Sequence, residues 1–122
     1  MQINGQNLKN MLLVATATLK NNSDIVNELN VFPVPDGDTG KNMLKTMEGG
    51  VKDLSKITNE TVGEVMRVFA NGALMGASGN SGVILSQILK GISLGLKDLK
   101  FATASDFATA FSMGVKTSYS AV

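Results

Sequence analysis

Two acidic residues separated by one glycine, Asp36 and Asp38, are the first candidates for chemistry in this 122-residue chain. They lie in residues 35–40, called the acidic loop below. Because glycine lets the backbone curve sharply, both carboxylates can turn toward one point. Such a pair repels unless protons or a cation share the site, so it indicates a divalent ion. Thr39 and the free N–H groups of a following helix would suit phosphate oxygens.

Taken alone, the acidic loop is more typical of a turn or a helix N-cap than of a metal site. Two familiar loops can also be excluded. An EF-hand beginning at Asp36 needs an oxygen ligand and a glutamate where Gly40 and Met47 stand. A Walker A loop ending near Gly40 needs glycine at Pro35 and serine or threonine at Asn42.

A second loop, residues 76–82, is rich in glycine and serine and is called the serine loop below. Its small residues let the backbone approach an anion, and the next helix adds positive partial charge at its N terminus. Ser78, Asn80 and Ser81 would add side-chain donors. A tight turn between two helices explains the same composition equally well. If both loops lay at one end of a helical bundle, together they would suit a Mg²⁺-bound polyphosphate.

Composition narrows the chemistry further. The chain contains no cysteine and no histidine, which excludes a disulfide framework, a zinc site, a thiol nucleophile and a histidine base. Any metal must be held by oxygen ligands, which favours Mg²⁺ and other hard cations. Interspersed charges with a net charge of +1 argue against nucleic-acid binding. Without a signal peptide or an apolar run of roughly 20 residues, we expect a cytoplasmic protein without transmembrane segments.

The elements that must position these loops are predicted to be helices. Apolar residues recur at helical spacing, and no stretch alternates strongly enough to predict a strand. We expect six helices: about 8–20 (ended by Asn21-Asn22), 24–29, 39–54, 62–75, 81–96, and from 105 onward. Thr61 with Glu64 predicts a capping box at the fourth. Predicted apolar faces include Leu8, Met47, Val65, Met66, Phe69, Ala73, Val83, Ile84, Phe107, Phe111, Val115 and Tyr119. The fold class is all-α, an antiparallel bundle with short connections.

Both loops resemble a known family. Residues 29–43, Leu-Asn-Val-Phe-Pro-Val-Pro-Asp-Gly-Asp-Thr-Gly-Lys-Asn-Met, resemble the nucleotide loop of the FakA fatty acid kinases, also called YloV-like or DAK-phosphatase-domain proteins. Residues 74–85 resemble the family's second loop. The resemblance covers essentially the whole chain. It implies a barrel of about eight antiparallel helices, similar to the L subunit of dihydroxyacetone kinase. Residues 1–122 would form the N-terminal part of that domain, inactive by itself.

The resemblance also implies roles for particular residues. Asp36 and Asp38 would be metal ligands, and Asn30 a neutral oxygen ligand where the dihydroxyacetone kinase pattern has aspartate. Thr39 stands where that pattern has histidine and would join both aspartates as a catalytic residue. The positions that would contact the phosphates and nucleotide are Thr39, Gly40, Asn42, Ser78, Gly79, Asn80 and Ser81. Two Mg²⁺ ions and ATP or ADP are the implied cofactors.

The activity implied by the resemblance is transfer of the ATP γ-phosphate to the carboxyl of a fatty acid, which a DegV-like (FakB) carrier presents. Because a carboxylate needs no base, positioning and Mg²⁺ would do most of the catalysis. Two alternatives stay open: a dihydroxyacetone kinase L-type subunit that recycles bound ADP, and a helical interaction module whose loops are only turns. Exposed apolar faces would also allow a homodimer.

Overall fold

The computed structural model describes residues 1–29, 37–58 and 60–121, most of them in helices. The helices are α1 (Gly5–Glu28), α2 (Thr39–Leu54), α3 (Val62–Met75), α4 (Gly79–Gly95) and α5 (Ala104–Ala121). Two short strands, β1 (Gln2–Ile3) and β2 (Ala102–Thr103), pair antiparallel and join the start of the chain to the start of α5. The predicted all-α fold class is confirmed, and no helix in these ranges is long and apolar enough to cross a membrane.

The first helix is longer than the sequence predicted. It continues through Asn21 and Asn22 to Glu28, so the first two predicted helices are one, and the described residues form five helices rather than six. Asparagine is an indifferent helix former rather than a helix breaker. The Asn22 amide donates to the Thr18 carbonyl at 2.8 Å, which uses its hydrogen-bonding capacity within the helix. The two asparagines therefore do not end the helix.

The starts of the later helices follow the sequence signals closely. Helix α2 begins at Thr39, as predicted. Helix α3 is capped by Thr61, whose hydroxyl accepts the Glu64 backbone N–H at 3.2 Å. Helix α4 begins at Gly79, two residues before the predicted position, and α5 begins at Ala104. Both loops of interest therefore lead directly into helix N termini.

Helix α3 lies at the centre of the bundle and packs against α1, α2 and α4. Its predicted apolar face is buried, namely Val65, Met66, Phe69 and Ala73. Leu54 of α2 and Leu96 after α4 are likewise buried in the core. This burial explains the regular helical spacing of apolar residues in α3.

Helices α2 and α3 run antiparallel with their backbones almost touching. Gly49 of α2 faces Gly72 and Gly76 of α3, and the Cα of Gly76 lies 3.2 Å from a Cβ built on Gly49. Gly50 lies against the Phe69 ring, where an added Cβ would stand 2.7 Å from two ring atoms. Glycine inside a helix is usually destabilising. In the structure these glycines allow a close contact that larger residues would prevent.

The predicted apolar faces of α4 and α5 are partly exposed. Phe111, Val115 and Tyr119 are at least half exposed, and Val83 and Ile84 are exposed by more than 40%. Helical spacing identifies an apolar face, but burial requires a second element against it. In the described part of the chain, α5 packs mainly on α4 and β2, which cover one side of it.

The contact between α2 and α3 makes a direct prediction about stability. A Cβ at Gly72 would overlap the Gly49 carbonyl oxygen and stand 3.0 Å from the Cα of Gly50. We expect Gly72→Ala to lower the free energy of unfolding by about 1–3 kcal/mol, the usual range for overpacking. Urea denaturation checks this value. Asn71→Ala, at the neighbouring exposed position, is the control and should change the free energy by less than about 0.5 kcal/mol. Equal midpoints for the two variants would contradict the close contact.

Candidate functional site

The N termini of α2 and α4 meet at one end of the bundle. The Ser78 hydroxyl, at the N-cap of α4, donates to the Asn42 side-chain oxygen at 3.0 Å. The Ser81 hydroxyl donates to the Thr39 carbonyl at 3.4 Å. These bonds join the first turn of α2 to the serine loop. The structure therefore brings four sequence-predicted site residues together.

The remaining predicted site residues fall into two groups. Gly40, Gly79 and Asn80 lie in the first turns of the same two helices, Gly40 buried and the other two exposed. Asp36 and Asn30 lie outside the described residues, so their roles stay predictions. Asp38 is described: it occupies the N-cap position of α2 and is partly buried.

The serine loop turns into α4 through a left-handed residue. Gly79 has φ +66°, a conformation that L side chains rarely adopt. It also lies directly against the Asn42 side-chain amide, so that a Cβ at this position would overlap the amide nitrogen. The loop backbone thereby approaches α2 as closely as a glycine permits. Gly37 in the acidic loop is left-handed too, with φ +73°.

Helix α1 also contributes to the start of α2. The Asn27 side-chain oxygen accepts the Lys41 backbone N–H at 3.1 Å. Gly40 packs against the Ser23 carbonyl oxygen, where an added Cβ would overlap it. The first turn of α2 is thus held between α1 on one side and the serine loop on the other.

Thr46 is a site residue that sequence reasoning missed. Its side chain is fully buried between α2 and the serine loop, where its hydroxyl accepts the Ser78 backbone N–H at 3.4 Å. Its position, four residues after Asn42 and on the same helix face, was the available signal. A threonine within an apolar helix face is otherwise unremarkable, so the spacing alone did not single it out.

Of the three predicted metal ligands, Asp38 is the one that the structure describes. Within residues 1–29, 37–58 and 60–121, no three acidic side chains form a group that could hold a metal ion. Asp38 and Thr39 do offer oxygen donors of the kind that Mg²⁺ prefers. They stand at a helix N terminus, a position whose free N–H groups suit phosphate oxygens in general. The donor chemistry fits a Mg²⁺ ion brought in with a polyphosphate.

A polar cleft of about 390 Å³ lies between the other ends of α2 and α3. Its charged side chains are paired: Arg67 donates to Glu64 at 2.6 and 2.9 Å, and Lys56 lies 3.9 Å from Asp53. The hydrogen bonds from Arg67 lower the pKa of Glu64 and raise the pKa of Arg67 itself. Because acidic and basic groups neutralise each other there, the cleft has no surplus positive charge for a polyphosphate.

Similar proteins occur in staphylococci. A Staphylococcus epidermidis protein is 43% identical over 121 residues, which is 99% of this chain and 22% of that protein. A Staphylococcus saprophyticus protein is also 43% identical and one from Staphylococcus aureus is 42% identical, both with the same coverage. All three are described only as uncharacterized proteins. The chain thus spans 22% of the length of these curated relatives.

The family comparison is more specific. The model of the DAK2 domain matches residues 33–122, which include both loops and α2 to α5. The match begins in the segment before α2 and extends over the meeting point of the two helix N termini. The chain therefore belongs to the DAK2 domain family.

Proposed function

We propose that this chain is the part of a kinase that binds ATP and Mg²⁺. The observation that carries the proposal is the meeting of the α2 and α4 N termini, joined by the bonds from Ser78 to Asn42 and from Ser81 to Thr39. Membership of the DAK2 family relates the chain to dihydroxyacetone kinases, whose reaction handles a nucleotide polyphosphate.

The chemistry of the two helix starts supports phosphate binding. Each N terminus carries a partial positive charge of roughly half an electron charge, from N–H groups that have no partner within the helix. The Ser78 hydroxyl is used on Asn42 rather than on its own helix. The first turn of α4 is therefore left without the side-chain cap that Thr61 gives to α3. Such a turn suits phosphate oxygens.

The role proposed for Asp38 follows from its place at the start of α2. Its carboxylate, with Asp36 by the sequence prediction, would hold Mg²⁺ beside the phosphates, and Thr39 would contact a phosphate oxygen. A bound Mg²⁺ would supply charge neutralisation during phosphoryl transfer. The protein groups would orient the polyphosphate and exclude water from it.

The acceptor that we propose is the carboxyl group of a fatty acid presented by a DegV-like carrier. A carboxyl group has a pKa of about 4 and is ionised near neutral pH, so its oxygen attacks without a base. A chain without histidine is compatible with this chemistry. The product is an acyl phosphate, with ADP as the leaving group.

A second candidate function is supported by the family match itself. The DAK2 match relates the chain to dihydroxyacetone kinases. In this alternative it would be an L-type subunit whose bound ADP is rephosphorylated by a phosphocarrier. Two incubations of the full-length protein separate the functions: one with ATP and a fatty-acid-loaded carrier, the other with ADP, a phosphorylated phosphocarrier and dihydroxyacetone. Acyl phosphate formation supports the first function, and phosphorylation of dihydroxyacetone supports the second.

Substitutions at the two helix starts test ATP binding. In the full-length protein, we expect Ser78→Ala to weaken Mg²⁺-ATP binding about 10-fold. The variant loses a hydroxyl that could donate to a phosphate oxygen or that holds the Asn42 side chain in place. Asp38→Asn and Asp36→Asn should weaken binding at least as much, because each removes a carboxylate near the metal. Isothermal titration calorimetry measures the dissociation constants.

Ser86→Ala is the matched control for Ser78→Ala. Ser86 is also on α4 and is fully buried, but its hydroxyl bonds the Val83 carbonyl at 2.7 Å within the helix. This variant should bind Mg²⁺-ATP as the wild type does. A folded wild-type protein that fails to bind Mg²⁺-ATP would contradict both enzyme functions and favour a helical interaction module.

Removal of the metal gives an independent prediction. ATP carries several negative charges, which two partial helix charges neutralise only in part. We therefore expect EDTA to weaken ATP binding at least about 10-fold, and excess Mg²⁺ to restore it. Calorimetry with and without EDTA provides the measurement. Equal ATP affinity in both conditions would contradict a metal-bridged site.

A further inference from the structure

Thr46 connects α2 to the serine loop through one buried hydroxyl group. The residue is in the second turn of α2, and its exposed fraction is 0%. Its hydroxyl donates to the Asn42 carbonyl at 2.9 Å and accepts the Ser78 backbone N–H at 3.4 Å. The same hydroxyl therefore contacts the backbone of both site elements.

The start of α4 packs tightly against the same hydroxyl. Gly82, in the first turn of α4, lies against the Thr46 hydroxyl so closely that an added Cβ would overlap the oxygen. The Asn42 carbonyl oxygen would lie 3.2 Å from the same Cβ. The second turn of α2 and the first turn of α4 thus meet at this oxygen atom.

Thr46 makes one hydrogen bond more than a threonine inside a helix usually makes. Threonines in helices commonly donate to the carbonyl four residues earlier, as Thr16 does to Leu12 at 2.9 Å in α1. Thr16 is also buried, with 8% of its surface exposed. Thr46 makes this bond and, in addition, accepts an N–H from a loop that is 32 residues away. This second bond joins α2 to the serine loop, whereas the first lies within α2.

We infer that Thr46 is a positioning residue that sets the N terminus of α4 at a fixed distance from that of α2. This inference rests on the proposed function, because the spacing matters only if both helix starts bind one polyphosphate. Thr46 touches no ligand itself in this role. It acts through Ser78, whose hydroxyl in turn orients the Asn42 side chain.

Loss of the hydroxyl has a defined consequence. Valine has nearly the shape of threonine, so Thr46→Val keeps the packing but leaves the Ser78 N–H without its acceptor in α2. A partly buried donor without a partner is costly, and the loop is expected to shift to find another one. The two helix starts would then no longer match the spacing of successive phosphate groups.

The test compares variants of the full-length protein by calorimetry with Mg²⁺-ATP. We expect Thr46→Val to weaken binding about 10-fold, and Thr46→Ser, which keeps the hydroxyl, to stay within about 2-fold of the wild type. Thr16→Val removes a buried hydroxyl with the same bond in α1 and should leave the affinity unchanged. Thr46→Ala and Thr46→Ser form a second pair that differs only in the hydroxyl. If Thr46→Val does not fold, this pair replaces the comparison of Thr46→Val with the wild type.

A second readout follows the loop directly. In ¹H–¹⁵N spectra, the Ser78 amide proton should move upfield in Thr46→Val and stay near its wild-type position in Thr46→Ser. Wild-type binding together with equal affinity for Thr46→Val would overturn the inference and leave the proposed function intact. A folded wild-type protein that does not bind Mg²⁺-ATP would overturn the proposed function and this inference with it.

Discussion

The position of the serine loop beside α2 depends on the close contact between α2 and α3. Gly49 faces Gly72 and Gly76 without intervening side chains, so the two helix backbones lie almost against each other. Gly76 ends α3 and begins the serine loop, and a Cβ built on it would stand 3.4 Å from the Lys45 carbonyl oxygen. The serine loop therefore begins beside the N-terminal half of α2. Larger residues at these glycines would move the loop away from it.

This arrangement places like partial charges next to each other. Two helix N termini repel each other when no anion lies between them, and both attract a negatively charged ligand. The hydrogen bonds of Ser78, Ser81 and Thr46 offset the repulsion and hold both helix starts in place. A site that is already ordered loses less conformational entropy when it binds its ligand. The ordered helix starts and their positive partial charges therefore both favour a negatively charged ligand.

The sequence was most informative where a local rule has a local cause. Thr61 and Glu64 predicted the start of α3, and helical spacing predicted its buried face, because both depend on neighbours within a few residues. It was least informative where the cause is distant. Thr46 gains its role from a loop 32 residues away, and the exposure of Tyr119 depends on which elements cover α5.

The two halves of the candidate site differ in the same way. The meeting of the serine loop with α2 is visible in the hydrogen bonds of Asn42 and Ser78. The metal half rests on Asp36 and Asn30, which lie outside the described residues, and on the family resemblance of their motif. Asp38 is the residue that the two halves share, since it belongs to the acidic loop and occupies the N-cap of α2.

The most direct test of a shared site is an NMR titration of the full-length protein with Mg²⁺-ATP, following backbone amides in the first turns of α2 and α4. We predict that the amides of Gly40, Asn80 and Ser81 shift together, with one dissociation constant. Amides around the polar cleft near Arg67 should stay in place. Shifts confined to one helix start, or centred on that cleft, would contradict a polyphosphate site formed by both N termini.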